Sequence, residues 1–86
     1  MKVQNMKSSN GNDVPNQFII ETNDGIYFQS YRSMIAKKAN GKRYLDEHYW
    51  DYSTTTSKYR NLFFGETTKE TEAKIKSGEY VLCNLN

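Results

Sequence analysis

The sequence predicts a small α+β domain: a small antiparallel sheet, made of a three-strand meander plus a C-terminal strand, with two short helices in the order β-β-β-α-α-β. Three observations predict it. Short β-branched and aromatic runs are separated by Asp24-Gly25 and Asn40-Gly41, pairs that supply the positive φ a tight hairpin turn needs. Hydroxyl-rich segments stand where helices begin, with Gly65 and Gly78 where they end. Glu79 to Asn84 then alternates as a strand does.

Residues 1–17 are mostly Asn, Ser, Lys and Gly, carry no helical or strand period, and read as a flexible leader. Residues 18–86 remain as a single α+β domain. Its first strand is Phe18–Thr22. The second starts at Ile26, slips its alternation between Ser30 and Ser33 as at a bulge, and resumes over Met34–Ala36. The third runs from about Arg43 to Glu47. Ser53-Thr54-Thr55-Thr56-Ser57 is a poor helix interior and a good entrance, because hydroxyls accept from free amides at a helix start. Tyr59, Leu62 and Phe63 follow at i, i+3 and i+4, an apolar stripe on a helix spanning about Thr55 to Phe64. Thr67 and Glu70 have capping-box spacing, which opens a second helix with Lys74 and Lys76 near its negative end.

Eighty-six residues with 36% hydrophobic content support one small core, which excludes a two-domain enzyme with its own cofactor domain. Ile, Leu, Val and Phe number only 16, so seven Tyr and Trp50 must supply much of the apolar area. Trp50 is expected to plug the junction of strands and helices. No apolar run is long enough for a membrane span, and a single cysteine, Cys83, suits a reducing cytoplasm.

Catalytic constellations are thin. His48, Asp51 and Ser53 lie within six residues, but nothing resembling a nucleophile elbow surrounds Ser53. Asp46, Glu47, His48 and Asp51 offer oxygens and one imidazole without the spacing of a known metal motif. No glycine-rich loop cradles phosphate. The chain therefore reads as a non-enzyme, with no catalytic residue, cofactor or metal.

Charge and aromatics concentrate in the middle of a chain whose net charge is only +2. Residues 31–60 hold Arg32, Lys37, Lys38, Lys42, Arg43, Lys58 and Arg60 against Asp46, Glu47 and Asp51. The same span holds Tyr31, Tyr44, Tyr49, Trp50, Tyr52 and Tyr59. Interleaved cations and rings suit two tasks. Tyr49, Trp50, Tyr52, Arg32 and Tyr31 have the composition of a protein-binding hot spot. Lys37, Lys38, Lys42, Arg43, Lys58 and Arg60 would hold DNA or RNA through phosphates, if they converge.

The span from Tyr27 onward, with its FQSYxSxIA strand, the LDExYWDYSxTTxKYRN core, the KETxxKIKSG helix and the terminal Asn84-Leu85-Asn86, resembles a family of small proteins from phages and mobile elements of low-GC Gram-positive bacteria. Phe63-Phe64 departs mildly from the Phe-Leu expected there. The resemblance implies no reaction, cofactor or catalytic residue. It implies an accessory protein, in the cytoplasm of a bacterial host cell, that binds a host or defence protein or nucleoprotein complex, as an anti-CRISPR inhibitor does. The alternative is a small nucleic-acid-binding protein with a basic-aromatic face.

Overall fold

The computed structural model describes all of residues 1–86. It is an α+β fold with a six-stranded mixed sheet, which corrects the expected three-strand meander plus one C-terminal strand. The strands are β1 (Lys2–Lys7), β2 (Asp13–Thr22), β3 (Gly25–Ser30), β4 (Ser33–Ala39), β5 (Lys42–Asp46) and β6 (Val81–Cys83), adjacent in chain order. Helices α1 (Thr54–Phe64) and α2 (Thr68–Lys76) lie between β5 and β6. No helix is long and apolar enough to cross a membrane.

Three departures from the sequence expectation have physical causes. Residues 2–7 and 13–17, read as leader, form β1 and the first half of β2. β1 pairs antiparallel with β2, from Lys2 opposite Glu21 to Lys7 opposite Asp13, and Met6 packs against the core. An edge strand needs apolar groups on one side only, so a mostly polar segment suffices. The slip at Ser30–Ser33 is a full chain reversal, in which Tyr31 takes a left-handed φ of 57° that non-glycine residues rarely adopt. A separate bulge leaves Ile35 unpaired between Phe28 and Gln29, so Ile35 and Ala36 both enter the core. Finally, β6 runs parallel to β5, a pairing that needs a long crossover, here supplied by the two helices.

Local signals set the helix ends. Ser53 accepts from the Thr56 amide, Gly65 closes α1 at φ 73°, and Thr67 and Glu70 form a reciprocal capping box. The buried face of α1 is Thr56, Arg60, Phe63 and Phe64, while Leu62, expected on the apolar stripe, is 58% exposed. Phe63, Phe64 and Tyr80 close over Phe28, Ile35, Ala36 and Leu45 to make the core on one side of the sheet.

Gly25 is the tightest backbone position. At φ 149°, a Cβ would lie 2.7 Å from the Lys38 carbonyl oxygen and 3.0 Å from the Ala39 methyl. Gly25→Ala should therefore cost about 1–3 kcal/mol. Gly11→Ala, whose methyl meets nothing within 4 Å, should cost only about 1 kcal/mol of left-handed strain. Urea melts that rank the two equally would contradict this packing.

Candidate nucleic-acid interface

Residues paired directly across strands project to the same face of a sheet. The register row Ile19, Phe28, Ala36, Leu45 points toward the helices. The next row must therefore point away from them. It crosses all six strands as Val3, Ile20, Tyr27, Lys37, Tyr44 and Val81. Both helices lie on the other side, so this face is open. Ile20 in this row is buried but sits outside the core cluster.

At the centre of the row a lysine lies between two tyrosines. Lys37 Nζ is 5.2 Å from the Tyr27 ring centre and 5.7 Å from that of Tyr44. Asp24, in the β2–β3 turn, braces this group: it accepts from the Tyr27 hydroxyl at 3.0 Å and lies 3.5 Å from Lys37 Nζ. The Tyr27 hydroxyl and the Asp24 carboxylate outweigh desolvation and hold the ammonium above the ordinary lysine range. The result is a fixed cation flanked by two half-buried rings on an uncovered surface.

The cations expected from sequence divide among four places. Lys37 and Lys42 belong to the open face. Lys38 and Arg43, paired across the β4–β5 hairpin, project to the helix side, with Lys38 over the Phe63 ring at 4.3 Å. Lys58 lies on α1 beside Tyr59. Arg60 is wholly buried and leaves the contact set. Its guanidinium stacks on Trp50 at 5.1 Å and donates to the Trp50 carbonyl, Ser57, Asn61 and Thr68, tying the β5–α1 loop to both helices.

The expected protein-binding residues lie at the other end of the sheet, beyond the C-terminus of β5. Trp50 is half-buried against the core edge. Tyr49 and Tyr52 are 37% and 48% exposed and meet edge to face, with centres 5.6 Å apart. Tyr31 and Arg32 are exposed in the β3–β4 turn at that same end. Ser53 is occupied as the α1 cap, and no three His, Cys, Asp or Glu side chains gather where a metal could be held.

Sequence reasoning missed the pairing of Tyr27 with Tyr44 about Lys37, together with Ile20 and Val81 beside them. Alternation places Tyr27 opposite Phe28 and Tyr44 opposite Leu45. Only the position of the helices shows which side is covered.

The chain matches the family of unknown function DUF8033 over residues 1–79 and belongs to it. No curated protein and no solved structure matches it.

Two buried carboxylates hold the frame around these surfaces. Asp46 accepts from the amides of Leu85, His48 and Tyr49 at 2.9, 3.1 and 3.0 Å. Glu66 accepts from Thr71, Tyr80 and Lys74 at 2.5, 2.6 and 3.0 Å. Burial alone would raise both carboxyls, but these donors outweigh it and hold them below their ordinary values of 3.8 and 4.5. A depressed folded pKa adds stability that is complete above the unfolded value and is lost as pH falls through the folded one. Stability should thus be flat from about pH 7 to 5 and decline below about 4. Asp46→Asn should cost about 1–3 kcal/mol at pH 7 and flatten part of that acid decline. Urea melts at several pH values check this, and parallel declines for variant and wild type would contradict it.

Proposed function

We propose that this protein binds single-stranded nucleic acid on the open face of its sheet. The observation that carries the reading is Lys37 held between the Tyr27 and Tyr44 rings on a surface no helix covers. Single strands are bound by stacking bases on aromatic side chains of a sheet while cations follow the backbone. Tyr27 and Tyr44 lie two strands apart, about 10 Å at ordinary strand spacing, so two bases can stack with Lys37 facing the phosphate between them. A duplex fits poorly, because a DNA major groove admits a helix or a two-stranded ribbon and not a broad sheet. With a net charge of only +2 and no base-specific contacts assigned, binding is expected in the non-specific range of about 10⁻⁶–10⁻⁴ M and sensitive to salt.

A second reading rests on the exposed Tyr49–Tyr52 pair: an accessory protein from a phage or mobile element that docks on a host or defence protein complex. Edge-stacked rings on a loop are suited to a protein hot spot.

Fluorescence anisotropy with a labelled single-stranded oligonucleotide separates the two. Tyr27→Leu and Tyr44→Leu keep an apolar group in the row and should each weaken binding about 5–100-fold, the worth of one stacked base. Tyr49→Ser with Tyr52→Ser should leave oligonucleotide binding unchanged. A Tyr27→Leu/Tyr44→Leu protein that binds like wild type would overturn the open-face reading.

A further inference from the structure

The β4–β5 hairpin gathers more cations than carboxylates. Asn40 and Gly41 both take left-handed φ, 54° and 74°, and fold the turn tightly enough to set Lys38 directly opposite Arg43. A cleft of about 380 Å³ lies against Lys38, Lys42, Arg43 and the turn backbone. It adjoins a second, of about 280 Å³, that shares Gly41, Lys42 and Arg43 and adds Lys74, Tyr80 and one exposed carboxylate, Glu79. One buried carboxylate, Glu66, serves both Arg43 at 3.5 Å and Lys74 at 3.0 Å. Lys38 and Lys42 have no carboxylate within 4 Å.

The same cations are poised to take a ligand. Arg43 spends one terminal nitrogen on the Phe64 carbonyl and the Tyr80 hydroxyl, at 2.9 and 3.0 Å. Its guanidinium also lies over the Phe64 and Tyr80 rings, but the other nitrogens of the fork make no hydrogen bond within the protein, and that fork matches phosphate geometry. Lys38 is partly desolvated beneath α1, and burial together with the neighbouring Arg43 charge pushes its ammonium down. Crowded cations of this kind are relieved by an anion. Lys42 links the cleft to the open face, because residues two apart on a strand share a side and Lys42 stands about 7 Å from Tyr44.

We infer that the β4–β5 hairpin cleft is a phosphate-binding site, formed by Lys38, Lys42 and Arg43, that takes a backbone phosphate next to the base stacked on Tyr44. It rests on the open-face reading for its source of phosphate and on the cleft itself for its chemistry.

Two measurements on the full chain separate these. In the first, pyrophosphate is titrated into ¹⁵N-labelled protein. The amides of Gly41, Lys42 and Arg43 should shift, and Lys38→Gln/Lys42→Gln should abolish the shift; amides that stay in place, or that move equally in the variant, overturn the site. In the second, the salt dependence of oligonucleotide binding is compared for wild type and the same variant. Each single-strand phosphate contact contributes about 0.7 to the slope of log K against log salt, so losing the one backbone phosphate that the cleft holds should lower its magnitude by about 0.7. An unchanged slope overturns the cleft's part in strand binding and leaves the open face standing. Pyrophosphate binding without any oligonucleotide binding overturns the open-face source and leaves the cleft as a site for a free phosphate compound.

Discussion

Two short helices cannot cover both sides of six strands, and the rest of the structure follows from that shortage. Six strands at ordinary spacing span about 24 Å, and an eleven-residue helix is about 16 Å long. Lying between β5 and β6, α1 and α2 close one face over Phe28, Ile35, Ala36 and Leu45. The centre of the other face carries residues that tolerate water and apolar contact together, Tyr27, Lys37 and Tyr44, each an apolar body with a polar tip, while the aliphatics Val3 and Val81 stand on its outer strands. An exposed face of plain aliphatics would invite aggregation. Amphipathic rings around a cation instead make a surface that tolerates water.

A core of seven buried apolar residues is small for such a sheet, and buried polar groups do part of the organising. Arg60 binds the β5–α1 loop to both helices, Asp46 gathers the start of that loop and the C-terminal tail, and Glu66 joins the α1–α2 link to α2, Tyr80 and Arg43. Each is matched by several donors or acceptors, as buried charge requires, although Arg60 Nε has no partner. Gln17 is the other exception. Its side-chain amide is buried without a partner beside the Ser30–Thr56 hydroxyl pair. These hubs hold the exposed Tyr49–Tyr52 pair at one end of the sheet and the cationic hairpin at the other.

What was legible in the sequence was mainly local. Ser53, Gly65, the Thr67–Glu70 box and the Asn40-Gly41 turn each act through hydrogen bonds or φ values within a few residues, so residue type announces them. What depended on distant partners was hidden. β1 looks like a leader because an edge strand borrows its order from β2. The Tyr31–Arg32 turn lacks the glycine or asparagine that marks a reversal, and the surrounding strands impose its left-handed φ. Arg60 resembles a surface cation, since nothing in its neighbourhood shows that Trp50 and Thr68 will enclose it. The candidate site was half visible: basic and aromatic residues were evident in 31–60, but their division between open face, hairpin cleft and interior is a property of the folded sheet.

The central claim is that the uncovered sheet face is the binding surface. Mapping amide chemical-shift changes across ¹⁵N-labelled protein on titration with a single-stranded oligonucleotide tests it most directly. The account predicts changes centred on Ile20, Tyr27, Lys37 and Tyr44, reaching Lys42, with the exposed side of α1 and α2 unmoved. Changes centred on Lys58 and Leu62 of α1 or on Tyr49 and Tyr52, or no changes at millimolar oligonucleotide, would contradict it.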